Sequence, residues 1–357
     1  MIIRQYVAKI TEKYLSGITS IQVYREDLKL LIEGCAPDVS LIGLHAESAF
    51  PSPDCMIIKQ NVPIGYLLIF PIDKPLDSQG DQKALDLLNS SLANLMLTNH
   101  LEFRLYRDGI FVSSASIAEV INGKVKSGPG EHLSLEILIK AFSSYHRVAI
   151  NDAFKLSRTL AREAQLLAAA IERSIIQDEE KRSNQNDQHF EISLKERLTD
   201  ISIVLKQNIT AKELADIYAQ TISFGVFAAR LFSFPAQEEF SRQNIHAFIP
   251  SSYSILKKLF QYLAGEDLDE RLIWIINEQV YLFRTMDLVN FIESFSRSAQ
   301  QSHPVIQFYK DFLDEYNPLL LKERGELIAN EPLVRFMIQA VGNCRSFIQS
   351  GSTDNDF

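Results

Sequence analysis

The residue types that most often do chemistry are scattered along this chain. The three cysteines form no CxxC pair and no two of the seven histidines have HxxxH spacing, so neither zinc pattern is present. No GxSxG elbow presents a nucleophilic serine, and no GxxxxGK(S/T) loop is present to bind a nucleotide phosphate. The densest glycine group, Gly128-Pro129-Gly130, is typical of a loop.

The composition is that of an ordinary globular protein. The 357 residues are 46% hydrophobic and 23% charged, which predicts two or three domains with large cores. The first residues lack the apolar run of a signal peptide, and no stretch approaches the roughly 20 apolar residues of a membrane span. We therefore expect a cytoplasmic protein with no membrane partner.

The charge balance bears on nucleic-acid binding. A net charge of −9 argues against tight DNA binding by this chain alone, because nucleic-acid binders usually present a basic face. An acidic total still allows a local basic patch. Two small basic groups, Lys257-Lys258 and Lys322 with Arg324, could contact phosphate, but such groups more often form a solvated face.

The first third of the chain predicts an α/β domain. Helical periodicity at residues 2–14 and 24–33 is followed by short apolar runs that are typical of strands. The predicted strands are residues 39–44, 54–59, 64–70, 94–98, 101–106 and 110–112, with a helix at 81–92. Asp108-Gly109 predicts a hairpin turn between the last two strands.

The rest of the chain predicts helices after a loop at 125–131. The expected helices are residues 156–176, 194–231, 256–263, 268–283, 287–295 and 305–313. Thr210 and Glu213 have the spacing of a capping box, so a helix should begin there. The polar run 178–188 predicts a linker or a helix end in water, and the acidic tail 349–357 predicts disorder.

Two long stretches carry a family resemblance. The first contains residues 63–66, 76–78, 94–99 and 101–109, and the second contains 218–221, 227–231, 267–271, 304–313, 316–318 and 322–325. In this order they resemble the fused type II restriction enzymes, in which a nuclease and an N6-adenine DNA methyltransferase share one chain. The chain would then be truncated before the methyltransferase core.

The resemblance implies that the front domain is similar to PD-(D/E)xK nucleases, in which two acidic residues hold a divalent metal and a lysine orients the attacking water. Asp54 stands at the place of the first acid, and Glu47 stands near the place of an additional one. Leu68 occupies the glutamate position of the next strand and Phe70 the lysine position. The expected domain is therefore a degenerate nuclease, with Asp54 as a weak metal ligand or simply as the first residue of a strand.

The resemblance also implies a helical connector that leads into an S-adenosylmethionine-binding segment. There the family has an aromatic residue, a threonine and a proline, whereas this chain has Ile328, Ala329 and Asn330. Pro332 persists, either as a cofactor contact or as the first residue of a helix. The glycine-rich turn and the Asn/Asp-Pro-Pro-aromatic loop of a methyltransferase are absent from the sequence.

The resulting expectation is an α/β domain followed by an all-α region, with no catalysis and no cofactor for this chain alone. The intact family uses Mg²⁺ and S-adenosylmethionine. We expect a degenerate restriction-endonuclease-like domain (1–125), a helical connector (126–322), a remnant of the segment leading into the methyltransferase (323–348) and a tail (349–357). Partners would be a separately encoded methyltransferase chain and double-stranded DNA. An inactive split-gene remnant and a residual metal-dependent nuclease stay open as alternatives.

Overall fold

A computed structural model describes most of the chain. The described residues are 2–18, 20–44, 52–78, 82–127, 132–184, 193–200, 209–234, 239–297, 304–318, 335, 337–343 and 346. The chain divides into two compact units, Met1–Arg147 and Val148–Phe357.

The first unit contains four helices and eight strands among its described residues. The helices are α1 (Ile2–Leu15), α2 (Ile21–Cys35), α3 (Gln82–Ser91) and α4 (His132–Ser143). The strands are β1 (Ser40–Gly43), β2 (Cys55–Lys59), β3 (Val62–Ile69), β4 (Asn94–Thr98), β5 (Glu102–Arg107), β6 (Ile110–Ser116), β7 (Ala118–Ile121) and β8 (Lys124–Ser127).

Six of these strands form one mixed sheet in the order β1-β2-β3-β4-β5-β6. Strands β3 and β4 are parallel, and every other neighbouring pair is antiparallel. A parallel pair requires a crossover connection, which contains α3. All five residues of β4 are buried, as expected for a strand inside a sheet.

One face of the sheet packs against the apolar sides of α1, α2 and α4. Leu67 and Ile69 of β3 belong to this core, together with Leu138 and Phe142 of α4. Gly65 in β3 is required by close packing, because a Cβ there would lie 2.7 Å from the Phe142 ring. Strand alternation directs Tyr66, Leu68 and Phe70 to the opposite face, where they are also buried.

The second unit is all-helical in its described part. Its helices are α5 (Ala153–Asn184), α6 (Leu194–Asp200), α7 (Ala211–Phe232), α8 (Ser254–Ala264), α9 (Glu270–Arg284), α10 (Leu288–Arg297) and α11 (Pro304–Tyr316). Helix α5 packs against α7, α9 and α11. Aromatic rings fill the core between α7 and α11, with ring centroids of Phe224 and Phe312 4.6 Å apart and those of Phe227 and Phe308 4.9 Å apart.

The fold class expected from the sequence is confirmed, since a mixed sheet with helices precedes a multi-helix region. The capping box is also confirmed: Thr210 Oγ1 accepts from the Glu213 N–H, and the Thr210 N–H donates to the Glu213 carboxylate. The Trp274 side chain is buried, as an apolar helix stripe predicts.

Two details differ from the expectation. The loop predicted at 125–131 is wrong for its first residues, because β8 pairs with β7 across an Asn122-Gly123 turn. Helix α4 follows, and its apolar side joins the core of the first unit, which extends to Arg147 instead of ending near residue 125. The described part of the polar run from 178 is the end of α5, one of the two expected alternatives, and its charged side chains form exposed ion pairs with α6.

Candidate functional site

Asp54 lies immediately before β2, between the backbones of two neighbouring segments. Its N–H donates to the Leu67 carbonyl, 2.9 Å away, and its carbonyl accepts from the Leu44 N–H at 2.9 Å. Because Cys55 pairs with Leu67 in an antiparallel register, Asp54 lies beside Leu68 of β3. The structure thus brings together the positions that the family resemblance assigns to the two acids of a metal site.

The Asp54 carboxylate is engaged by the backbone. Its Oδ2 accepts a hydrogen bond from the Ile69 N–H at 2.6 Å. Burial raises the pKa of Asp54 to about 6, while the Ile69 hydrogen bond and the positive charge of Arg25 act in the opposite direction. The Ile69 hydrogen bond thus joins the start of β2 to the end of β3, while burial disfavours the charged form of the carboxyl group.

The family's glutamate and lysine positions carry the hydrocarbon side chains of Leu68 and Phe70. Leu68 is 4% exposed and Phe70 is 8% exposed, so both are packed side chains. Alternation along β2 and β3 places Asp54 and Leu68 on the same face of the sheet. Positions 68 and 70 therefore supply neither a second carboxylate nor an amine.

This arrangement does not fit a bound Mg²⁺ ion. Magnesium prefers six oxygen ligands in a near-octahedral array and is usually held by one or two carboxylates with water and phosphate. Asp54 supplies one carboxylate, already bonded to Ile69, and the adjacent β3 side chain is Leu68. Within the described residues, no three histidine, cysteine, aspartate or glutamate side chains lie close enough to share a metal ion.

A cation on α2 contributes to this site, although no sequence pattern singles it out. The Arg25 guanidinium packs over β1, and a Cβ added to Gly43 would lie 2.9 Å from its Nη1 atom. Gly43 pairs with Cys55, the residue after Asp54, so the positive charge lies one strand away from the carboxylate. The sequence separation of 29 residues between Arg25 and Asp54 explains why only the fold reveals this proximity.

Glu47, Ile328, Ala329, Asn330 and Pro332 lie outside the described residues.

Two further charges that match the family in sequence lie on the surface. Lys74 is exposed, and the exposed Asp77 pairs with Arg104 of β5.

The histidine with the most perturbed environment is structural. His100 is fully buried at the turn between β4 and β5, with a positive φ of 71°. Its carbonyl accepts from the Tyr6 hydroxyl at 3.1 Å, and burial lowers its pKa to about 3. A neutral imidazole held in this way fixes the turn against α1.

Six solved chains match this one in structure, and one of them is a DNA complex. No family model matches the chain, and no curated protein matches it. The chain is similar to a protein solved as the "cryoEM structure DrdV-DNA complex", at 15% sequence identity and with a TM-score of 0.31. The similarity covers 94% of this chain and 31% of that chain, so this chain spans about a third of the length of that protein.

Membrane insertion finds no support among the described helices. None of them has both the length and the apolar composition that crossing a bilayer demands.

Proposed function

We propose that this chain is a non-catalytic subunit of a restriction–modification system. It would assemble with a separately encoded N6-adenine methyltransferase chain and position the DNA for that chain. The observation that carries the proposal is the hydrocarbon at Leu68 and Phe70 beside the surviving Asp54. The order of the matching segments along the sequence supplies the family context. The front unit then serves as a scaffold.

The chemistry of the site supports the absence of hydrolysis by this chain alone. Cleaving a phosphodiester requires an activated water and stabilisation of the developing negative charge. Leu68 and Phe70 can do neither, and the Asp54 carboxylate is bonded to the Ile69 N–H. S-adenosylmethionine would be held by the partner chain in the proposed assembly, and no reaction step is assigned to residues of this chain.

Co-purification tests the proposed assembly. The full chain with an affinity tag should retain the methyltransferase encoded beside it when the two are expressed together, and the complex should methylate adenine. The D54N variant is the matched control, because it keeps an oxygen that can accept from Ile69 and leaves the surface unchanged. If neither the methyltransferase nor double-stranded DNA at low salt is retained, the proposal is wrong.

A residual nuclease is the second candidate, and the retained acid at Asp54 is the observation that favours it. A plasmid-cleavage assay with Mg²⁺ and with Mn²⁺ separates the two functions. We expect the plasmid to stay intact with the wild-type chain. Cleavage that D54A abolishes would establish a nuclease and overturn the assignment of a scaffold.

The alternative of an inactive remnant predicts a leftover apolar interface near residues 333–341. Within the described part of that segment, Met337 and Ala340 are fully buried and Val341 is 8% exposed. Ile338 of the same segment is exposed, so the described residues here are compatible with both the remnant and the proposed subunit.

A further inference from the structure

The acidic excess of the chain is unevenly distributed between the two units. Residues 1–147 contain 14 lysines and arginines and 16 aspartates and glutamates, whereas residues 148–357 contain 22 and 29. The first unit is therefore close to neutral. A surface that attracts a polyanion is more favourable there than on the second unit, whose net negative charge repels it.

A two-stranded ribbon on the first unit separates its apolar and charged sides. Val120 of β7 and Val125 of β8 are paired and pack on the core of that unit. Because side chains alternate along a strand, Lys124 and Lys126 point to the opposite, outer face. Both lysines are exposed, and two residues along a strand place them roughly 7 Å apart.

These two lysines differ from several other cations of the first unit. Lys13, Lys59, Lys140 and Arg104 each form an ion pair with an acidic side chain. Among the described residues, Lys124 and Lys126 form none, even though Glu119 is the register partner of Lys126. Their charge is therefore available to a ligand, while that of the paired cations is largely compensated.

The tip of the ribbon is narrow. Asn122 and Gly123 form the turn with positive φ angles of 52° and 72°, as two-residue hairpin turns require. A Cβ added to Gly123 would meet no atom within 4 Å, so the tip has free space around it. The major groove of B-DNA accommodates a two-stranded β-ribbon, and lysines flanking the groove can reach backbone phosphates.

We propose that the β7–β8 hairpin contacts the phosphate backbone of double-stranded DNA through Lys124 and Lys126. This inference deepens the proposed function, on which it rests, by assigning the DNA-positioning role to one surface. Phosphate contacts fix orientation and carry no base specificity. The hairpin would therefore set how the first unit lies on DNA, and sequence recognition would come from elsewhere.

The test compares two variants with the same change in net charge. K124E/K126E reverses the hairpin lysines, and K257E/K258E reverses an adjacent pair on α8 of the second unit. Binding of the full chain to a fluorescent duplex of mixed sequence is measured by anisotropy over about 50 to 200 mM NaCl. Circular dichroism of each variant establishes that the fold is intact.

We expect the hairpin variant to bind the duplex about tenfold or more weakly than the wild type. The magnitude of the slope of log affinity against log salt should fall by about 1.8, because each of the two phosphate contacts contributes about 0.9. The α8 variant should bind nearly as the wild type does. Equal binding by the two variants would overturn the assignment to the hairpin while leaving the proposed assembly in place. Absence of DNA binding by the wild type, with the methyltransferase still retained, would overturn the hairpin proposal in the same selective way.

A third outcome concerns a protein partner. If K124E/K126E binds DNA normally but no longer retains the methyltransferase, the lysines contact an acidic protein surface, and the DNA assignment is wrong. K124Q/K126Q should show the same direction of change as the glutamate variant with a smaller loss, because it removes the charges without reversing them.

Discussion

Replacing Asp54 by asparagine should stabilise the first unit at neutral pH. Burial raises the pKa of this carboxyl from 3.8 to about 6. Between these two values the folded chain binds more protons than the unfolded chain, so the free energy of unfolding falls as pH rises through this window. The difference corresponds to about 3 kcal/mol of stability that is present below pH 3.8 and lost above pH 6, at about 1.4 kcal/mol per pKa unit.

Asparagine removes the buried charge and keeps an oxygen that can accept from the Ile69 N–H. The D54N chain should therefore gain up to about 3 kcal/mol over the wild type above pH 6, and this gain should disappear towards pH 4. Tryptophan fluorescence cannot measure it, because the sole tryptophan, Trp274, lies in the second unit. Urea-dependent hydrogen exchange of the β3 amides reports the first unit directly.

D38N is the matched control for this measurement. Asp38 is exposed and bonded to Lys59 at 2.6 Å, which holds its pKa below the usual value. Its replacement should give no gain above pH 6. The reasoning about Asp54 is refuted if D54N is less stable than the wild type above pH 6, or if its advantage does not change between pH 4 and pH 8. In either case the carboxylate would be held in its charged form by the fold.

Two further substitutions test the packing and capping of the second unit. Gly225→Ala should destabilise the chain by about 1–3 kcal/mol, because the new Cβ would lie 2.4 Å from the Phe260 ring, whereas Gly342→Ala has nothing within 4 Å and should unfold at nearly the wild-type urea concentration. Thr210→Ala should cost about 1 kcal/mol by removing the cap of α7, and Thr210→Ser should restore most of it. Urea denaturation followed by fluorescence measures both effects. The contacts would be contradicted if Gly225→Ala were as stable as Gly342→Ala, or if Thr210→Ala were as stable as Thr210→Ser.

The strands of the main sheet could be predicted from the sequence, whereas strand β8 could not. The six strands of the main sheet carry apolar runs bounded by turn residues, which is why each was expected within a few residues of its place. Strand β8 alternates valine with lysine over four residues, and its charge favoured a loop. The Asn122-Gly123 turn was the available signal for the hairpin.

The candidate site could be predicted in part. The loss of an acid and an amine at Leu68 and Phe70 is visible in the sequence once the family resemblance is stated. Burial of these two side chains, and the hydrogen bond from Ile69 to Asp54, require the register of β2 and β3. The charge of Arg25 near this site depends on the packing of α2 over Gly43, which no local pattern encodes.

The same register explains how Asp54 and Leu68 can act as structural residues. The charged groups of a metal site must remain hydrated until the ion binds. The strands that carry them therefore bury less apolar surface. With Leu68 and Phe70 in place, that face of β3 buries hydrocarbon, and the hydrogen bond from the Ile69 N–H offsets only part of the cost of burying the Asp54 carboxylate. Charged side chains at positions 68 and 70 would be less than a tenth exposed, so the present packing disfavours the charges that a nuclease site of this kind requires.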